Sequence, residues 1–120
     1  WIGAKGRETG LNGQVARTRP CASMREAILL STSPEYFDGD AAAPFARLAG
    51  SARFTIYDGG TQGYGLVASG YADAMVVARY GIVDYLAAVP VIEGAQSPIQ
   101  RPASSATLRR FSARPDPQQT

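Results

Sequence analysis

The residues that could carry out chemistry in this chain of 120 residues are carboxylates, hydroxyls, tyrosines, arginines and lysines, because the sequence contains no histidine. Without histidine, a Ser-His-Asp or Cys-His catalytic arrangement is excluded, and so is any histidine-based metal site. The single cysteine, Cys21, has no histidine to activate it, and we interpret it as a small apolar residue. Catalysis would therefore depend on oxygen-bearing side chains or on arginine and lysine.

Asp84 is the carboxylate whose setting is most informative. It lies near the start of the segment GIVDYLAAVPVIEGA (residues 81–95), which is otherwise suited to burial. The pattern predicts a helix over 84–95, with Asp84 at or near its N-cap and Gly94 near its end. An aspartate before an apolar helical run is most often a simple cap. The residues alone therefore leave open a capping role and a functional role facing a cleft.

A glycine-rich segment, DGGTQGYG (residues 58–65), is a second candidate. It could hold an anion at the start of the following helix, but it matches neither the GxxxxGK[ST] phosphate loop nor GxGxxG. A plain turn with a close backbone approach is the favoured interpretation. Arg79 and Tyr80 could contact phosphate near the same cleft, although a solvated arginine is the ordinary case.

The elements that must position these residues alternate between strands and helices. Asn12-Gly13 predicts a β-hairpin over residues 1–17, because both residues tolerate positive φ. After a helical turn near Ser23 and Glu26, the patterns predict strands over 27–32, 52–57 and 71–78 and helices over 38–50, within 58–70 and over 84–95. This alternation indicates an α/β layered fold.

Composition and charge divide the chain into two parts. Residues 1–95 carry eight Lys/Arg and nine Asp/Glu, a net charge of −1, whereas residues 96–120 carry four Arg and one Asp, a net charge of +3. The nearly neutral body argues against nucleic acid as the main partner. The last 25 residues contain four prolines and no sustained periodicity. We therefore predict a domain over 1–95 and a disordered Pro/Arg-rich tail over 96–120.

The sequence also gives expectations about compartment and completeness. No apolar run reaches the ~18 residues of a membrane span, so no membrane association is expected. One cysteine allows no internal disulfide and fits a reducing compartment, so we expect a cytoplasmic protein. The first residue is Trp1 rather than Met, so the chain is expected to be a fragment, a processed product or the product of an incomplete gene model.

Three collinear segments resemble the C-terminal half of the inositol monophosphatase superfamily, and most closely its histidinol-phosphatase branch. They are NGQVARTRPCASMREAILLSTSPEYF (12–37), YDGGTQGYGLVASGYADAMVV (57–77) and VDYLAAVPVIEGA (83–95). The resemblance implies a partial layered α/β sandwich. It also implies descent from a Mg²⁺-dependent phosphomonoesterase, in which carboxylate-bound metal ions polarise the phosphate and activate water. Histidinol phosphate is the substrate that the branch implies.

Transferred position by position, the resemblance aligns Asp84 with the one metal ligand that the family draws from its C-terminal half. The other ligands, a helical Glu and an Asp-Pro-Ile-Asp-Gly-Thr motif, are absent from this chain. Gly60 stands where the family has a substrate-side Asp, and Val77 stands where it has a Glu. On the substrate side the resemblance implies Gly59, Gly60 and Thr61, and Arg79 joins them because it could contact phosphate near the same cleft.

Three functional hypotheses follow from these observations. The first is a phosphomonoester hydrolase family member that binds a small phosphate ester in its parent form but has no activity alone, since one carboxylate cannot hold Mg²⁺. The second is a non-enzymatic remnant that binds a partner, a full-length homologue or a second copy through an uncovered sheet face. The third is a binder of nucleic acid or an acidic partner through the arginine tail. The loss of resemblance after Ala95 suggests a frameshift or truncation, which the other reading frames of the encoding DNA would test.

Overall fold

A computed structural model describes residues 1–79 and 81–95 of the chain. The tail predicted over 96–120, and Tyr80, lie outside the described residues. In chain order the elements are β1 (Gly10–Leu11), β2 (Gln14–Val15), β3 (Ile28–Ser31), 3₁₀ turns at Pro34–Tyr36 and Gly39–Ala41, α1 (Ala42–Ser51), β4 (Phe54–Ile56), α2 (Gln62–Ala68), β5 (Ala74–Val76) and α3 (Ile82–Gly94). The predicted alternation of strands and helices is confirmed.

A three-stranded parallel sheet forms the centre, in the order β4-β3-β5. Leu29 lies beside Thr55 and Ala74, and Leu30 lies beside Ile56 and Met75. The central strand β3 is a short apolar run with its last three residues buried, as expected for a strand covered on both faces of a parallel sheet. All three strands fall within their predicted segments.

The helices cover opposite faces of this sheet. Thr55 donates from Oγ1 to the Ala49 carbonyl of α1 at 3.0 Å, so the face that carries Thr55 lies against α1. On the other face, Met75 contacts α2 so closely that a Cβ added to Gly63 would lie 2.2 Å from the Met75 sulfur. The chain moves from β3 outward to β4 and then back across to β5. Right-handed crossovers in opposite directions place their helices on opposite faces, which accounts for this arrangement.

The predicted hairpin is confirmed at Asn12-Gly13, where φ is +51° and +81° and β1 pairs with β2 in antiparallel register. An earlier segment extends it, since Ile2 and Gly10 exchange two backbone hydrogen bonds of 2.9 Å. The hairpin layer, residues 1–18, therefore has the order Ile2 segment, β1, β2. It lies against α2 and α3, because Trp1 contacts the backbone at Gly65 and Gly3 contacts the backbone at Pro90 and Val91.

The hairpin layer also supplies hydrogen bonds to the last turn of α3. Thr9, which is fully buried, donates from Oγ1 to the Val91 carbonyl at 2.6 Å and from its N–H to the Gly94 carbonyl at 3.1 Å. Thr18 donates from its N–H to the Ala95 carbonyl at 3.4 Å. Carbonyls at a helix C-terminus have no partner inside the helix, so these contacts satisfy groups that would otherwise need water.

Arg19 and Asp73 hold the connection between the hairpin layer and the sheet. Arg19 donates to both carboxylate oxygens of Asp73, from Nε at 2.8 Å and from a terminal nitrogen at 2.6 Å, and the Ile28 N–H donates to Asp73 at 2.8 Å. Burial alone would raise the pKa of Asp73, but the hydrogen bonds from Arg19 and Ile28 outweigh it and lower that pKa below its usual value. Burial raises the pKa of the nearby Cys21 thiol, consistent with an unreactive residue.

Two helix boundaries differ from the sequence prediction. The helix predicted over 38–50 is a 3₁₀ turn followed by α1, and Pro44 occupies the first turn of α1, where proline is tolerated. Asp38, at the N-cap of the 3₁₀ turn, makes no capping hydrogen bond and pairs with Arg79 instead. The helix predicted to begin at Asp84 begins at Ile82, because Gly81 already has the extended conformation of an N-cap.

Candidate functional site

The candidate site lies at the carboxyl ends of the three parallel strands. The helix after β3 covers one face of the sheet, whereas the helices after β4 and β5 cover the other. In open α/β sheets, a crevice forms outside the carboxyl ends of two adjacent strands whose following helices cover opposite faces. Ligands bind in such a crevice. Four short segments meet at this edge. They are Thr32–Ser33 after β3, Asp58–Thr61 after β4, Val77–Arg79 after β5 and the first turn of α3.

Asp84 is the third residue of α3, exposed, and placed in the helix's first turn. Asp84 is not the N-cap residue, because Gly81 occupies that position and no side chain makes a capping hydrogen bond there. The Asp84 carboxylate still lies close to the N-cap, because a Cβ added to Gly81 would be 3.1 Å from Oδ2. A carboxylate at this end of a helix is also favoured by the helix dipole.

A pocket of about 240 Å³ lies between α2 and α3. Its lining includes Thr61 and Gln62 from the start of α2 and Ala87 and Ala88 from α3, and Trp1 lies at its border. Residues three and four apart share one face of a helix, so Asp84 lies on the pocket-lining face of α3, one turn before Ala87 and Ala88. Thr61 thus lines this pocket, and Asp84 lies one helical turn before the α3 residues that line it.

The glycine-rich segment is a turn whose glycines serve packing and backbone conformation. Gly60 has a φ of +49° and Asp58 has a φ of +66°, conformations that side chains with a Cβ rarely adopt. Gly59 donates from its N–H to the Ser31 carbonyl at 3.3 Å, which holds the turn against the end of β3. Space beside Gly60 is open, since an added Cβ would meet nothing within 4 Å. The plain-turn interpretation is therefore supported.

Arg79 lies at the same edge but its guanidinium is engaged elsewhere. It forms an ion pair with Asp38 of the 3₁₀ segment between β3 and α1, and both side chains are exposed. Its φ of +56° is uncommon for a residue other than glycine. Its role on the substrate side remains a prediction.

Thr32 is a candidate that the sequence analysis missed. It follows β3 directly, and its carbonyl accepts the Asp58 N–H at 2.8 Å. Its Oγ1 is buried and has no hydrogen-bond partner within the described part of the chain, an arrangement that costs free energy unless a ligand or water supplies one. The hydroxyl-rich run Ser31–Ser33 at the end of a buried strand was the available signal.

The described residues do not fit a complete Mg²⁺ site. Residues 1–79 and 81–95 contain no group of three or more carboxylate or cysteine side chains placed to hold a metal ion. Asp84 alone supplies too few oxygens for Mg²⁺, which requires octahedral coordination. Val77, at the position where the resemblance implies a Glu, is completely buried and can contact no substrate hydroxyl or amine.

Comparison with known proteins gives one consistent family. No protein-family model matches the chain. Over 95 residues the chain is 39% identical to the protein named bifunctional phosphatase IMPL2, chloroplastic, from Arabidopsis thaliana. That match covers 79% of this chain and 28% of the plant protein.

Solved structures of inositol monophosphatases share the fold. An inositol monophosphatase from Zymomonas mobilis superposes with a TM-score of 0.83 at 30% identity, covering 94% of this chain and 47% of that protein. The Thermotoga maritima IMPase superposes with a TM-score of 0.73 at 20% identity, covering 90% of this chain and 44% of that protein. The chain therefore spans less than half the length of these proteins.

Among the described residues, no helix is long and apolar enough to cross a membrane. The fold class predicted from the sequence, a partial layered α/β sandwich with an N-terminal hairpin, is confirmed by the superposition on the Zymomonas mobilis protein. The shared fold and the sequence identity to a named phosphatase agree with each other. Together they place this chain in the inositol monophosphatase superfamily.

Proposed function

We propose that this chain is part of an inositol monophosphatase-type phosphomonoester hydrolase and that it contributes the Asp84 side of the active-site cleft. The observation that carries this proposal is the position of Asp84 in the first turn of α3, the helix that follows the carboxyl end of β5. Asp84 lies one turn before two residues, Ala87 and Ala88, that line the pocket between α2 and α3. The names of the similar proteins, a phosphatase and inositol monophosphatases, support the reaction class.

Within this proposal, Asp84 is one metal ligand and the turn Gly59–Thr61 faces the substrate. The open space beside Gly60 leaves room for a phosphate ester there, and the unpaired Thr32 hydroxyl would donate to one of its oxygens. Arg79 would join the substrate side only by releasing Asp38. A small phosphate ester is the substrate class, and histidinol phosphate is the member that the sequence resemblance favours.

The remaining features of the proposal follow from the sequence. We assign the domain to residues 1–95 and the tail to 96–120, and we propose a cytoplasmic location. Mg²⁺ is the cofactor of the complete enzyme. Because the described residues supply one carboxylate ligand, the 120-residue chain would not bind Mg²⁺ tightly and would not hydrolyse phosphate esters alone.

Phosphate release by the purified 120-residue chain tests this proposal. With histidinol phosphate or inositol monophosphate and millimolar Mg²⁺, we expect no release above the uncatalysed blank, and calorimetric titration with Mg²⁺ should give no saturable heat. Mg²⁺-dependent release that is lost in Asp84→Asn would show that the chain is a complete enzyme and would overturn the proposal.

A second candidate function is non-enzymatic association with another polypeptide. The observation that favours it is the solvent exposure of Ile82, Val83 and Leu86 on a helix that is apolar on nearly every side. A chain that stays monomeric in size-exclusion chromatography with every candidate partner would remove this candidate.

A further inference from the structure

Two segments of the chain separate at the carboxyl ends of the neighbouring strands β3 and β5. After β3 the chain passes through Asp38 to α1 on one face of the sheet, and after β5 it passes through Arg79 to α3 on the other face. Adjacent strands whose connections separate in this way leave a crevice between them. The ion pair between the Asp38 carboxylate and the Arg79 guanidinium therefore connects the two sides of this crevice.

The end of β3 carries a hydroxyl that is available to a ligand. Ser31 donates from Oγ to the Val76 carbonyl of β5 at 2.8 Å, so its hydroxyl is already used. The register that pairs Ser31 with Val76 continues to Thr32 beside Val77. The Thr32 Oγ1 is buried and has no hydrogen-bond partner within residues 1–79 and 81–95, and a buried hydroxyl normally has one.

Asp38 is the fixed member of the ion pair, because its neighbour is anchored. Phe37 is buried, and its ring stacks on the ring of Phe45 in α1 with 3.7 Å between the ring centroids. The Phe37 N–H also donates to the Pro34 carbonyl at 3.1 Å. The backbone that carries Asp38 is thereby held against α1.

Arg79 is the member that can change its partner. Its φ of +56° is disfavoured for a residue with a Cβ, so a return to negative φ would relieve strain and redirect the side chain. The ion pair with Asp38 is also weak, because the two side chains are 61% and 68% exposed and exposed ion pairs contribute little. The pair of Arg19 with Asp73 differs, since the Asp73 side chain is 3% exposed.

Charge makes Arg79 the group that an anion would need at this edge of the sheet. In the four described segments that meet there, Arg79 carries the one positive charge, whereas Asp58 and Asp84 carry negative charges. A guanidinium binds a carboxylate and a phosphate with the same planar arrangement of donors. A phosphate therefore competes with the Asp38 carboxylate for the same nitrogen atoms.

We propose that the Arg79–Asp38 ion pair is a strap across the β3–β5 crevice that a phosphate dianion opens. The dianion displaces the Asp38 carboxylate, the Arg79 guanidinium binds two phosphate oxygens in its place, and the Thr32 hydroxyl donates to a third. The connection between the two sides of the crevice is then released. The identity of the anion rests on the proposed function, in which a phosphate ester is the substrate and phosphate is a product.

NMR titration of the ¹⁵N-labelled 120-residue chain with sodium phosphate, at an ionic strength held constant with sodium chloride, tests the inference. We expect saturable shifts of the Thr32, Asp38 and Arg79 amide signals and of the Arg79 Nε signal. Asp38→Asn removes the competing carboxylate and should tighten phosphate binding about two- to fivefold, the scale of an exposed ion pair. Arg79→Gln should weaken the binding at least fivefold, because it removes the cation.

Two neighbouring exposed residues supply matched controls. Asp40→Asn removes the same charge as Asp38→Asn from the same 3₁₀ turn, and Arg47→Gln removes the same charge as Arg79→Gln from α1. Both should leave the affinity for phosphate unchanged. Arg79→Gly is a second test of the cation, because glycine adopts positive φ without strain, and it should lose binding as Arg79→Gln does. Circular dichroism checks that each variant is folded.

The inference is overturned if phosphate gives no saturable shifts, if Arg79→Gln and Arg79→Gly bind phosphate normally, or if Asp38→Asn has the same effect as Asp40→Asn. Hydrolysis plays no part in this titration, so the two proposals fail separately. Phosphate exchange at Arg79 in a chain that takes part in no ester hydrolysis would support the strap and remove the proposed reaction. Hydrolysis without that exchange would overturn the strap alone.

Discussion

The two ends of α3 are made of the same kinds of residue but have different surroundings. At the C-terminal end, Ile92 is completely buried, and Thr9 and Thr18 donate hydrogen bonds to the last carbonyls. At the N-terminal end, Val83 and Leu86 are mostly exposed. The sequence of the helix is suited to burial along its whole length, whereas the described residues cover one end only.

The largest expected effect on the free energy of unfolding comes from a direct comparison of the two ends of α3. Ile92→Ala should lower the free energy of unfolding by about 3 kcal/mol, because it leaves a cavity in a fully buried site. Leu86→Ala removes a side chain of the same size from an exposed site and should cost less than about 0.5 kcal/mol. Urea unfolding of both variants measures the contrast. Equal losses would mean that the N-terminal end of α3 is already buried in the chain alone.

A smaller effect should follow when the anchor of the hairpin layer is removed. Arg19→Leu deprives the Asp73 carboxylate, which is 3% exposed, of both guanidinium hydrogen bonds. Loss of hydrogen bonds to a buried charge should cost about 2 kcal/mol. Urea unfolding measures the loss, and Arg25→Leu, at an exposed arginine in the same connection, is the control. No loss in Arg19→Leu would show that the hairpin layer does not depend on this pair.

The same pair gives a pH dependence. The pKa of Asp73 is lower in the folded chain than its ordinary value, so the stability that it contributes is present above about pH 4 and is lost as the pH falls through the folded pKa. The difference in unfolding free energy between the unsubstituted chain and Asp73→Asn should therefore be largest near pH 6 and shrink below pH 4. A constant difference across this range would contradict the assignment.

The covered end of α3 should be weakened further by Thr9→Val. This change keeps the size of the side chain but removes the 2.6 Å hydrogen bond to the Val91 carbonyl, so we expect a loss of about 1 kcal/mol. Thermal unfolding followed by circular dichroism would detect it. Thr18→Val removes a longer hydrogen bond, 3.4 Å from the Thr18 hydroxyl to the Ala95 carbonyl, and should change the midpoint less. A larger change there would contradict the proposed role of Thr9.

The smallest effect on stability is expected at the uncovered end. Val83→Glu should alter the free energy of unfolding by less than about 0.5 kcal/mol but should reduce the binding of a hydrophobic dye such as anilinonaphthalene sulfonate, since it breaks the exposed apolar patch. Fluorescence titration of the dye checks this. Unchanged dye binding would mean that the exposed residues Ile82, Val83 and Leu86 are not the main apolar surface of the chain.

Local sequence signals were sufficient for most of the fold. The Asn12-Gly13 pair defines its hairpin because both residues adopt positive φ, and short apolar runs define β3 and β5 because strands of a parallel sheet are buried on both faces. The helix boundaries predicted from the sequence were less accurate than the positions of the strands. Helix α3 begins before Asp84 because the extended conformation of Gly81 decides the N-cap, and a sequence pattern does not contain that conformation.

The candidate site could be predicted only in part, because it depends on distant segments meeting in space. The resemblance pointed to Asp84 and Thr61. Thr61 lines the pocket between α2 and α3, and Asp84 lies one turn before the α3 residues that line it. The pairing of Arg79 with Asp38 and the buried hydroxyl of Thr32 depend on β3 and β5 lying side by side in the sheet, which single-sequence patterns do not encode. The close contacts of Gly3 with the backbone of α3 and of Gly94 with the Arg7 carbonyl likewise join distant segments and are not encoded in local patterns.

Phosphate release from histidinol phosphate or inositol monophosphate with Mg²⁺ tests the account most directly, using this chain co-expressed with the unmatched part of the Zymomonas mobilis inositol monophosphatase. Three samples are needed: the 120-residue chain alone, its complex with the unmatched part of the Zymomonas mobilis protein, and the same complex with Asp84→Asn. We predict release by the unsubstituted complex only. Release by the chain alone, or equal release by the Asp84→Asn complex, would contradict the account.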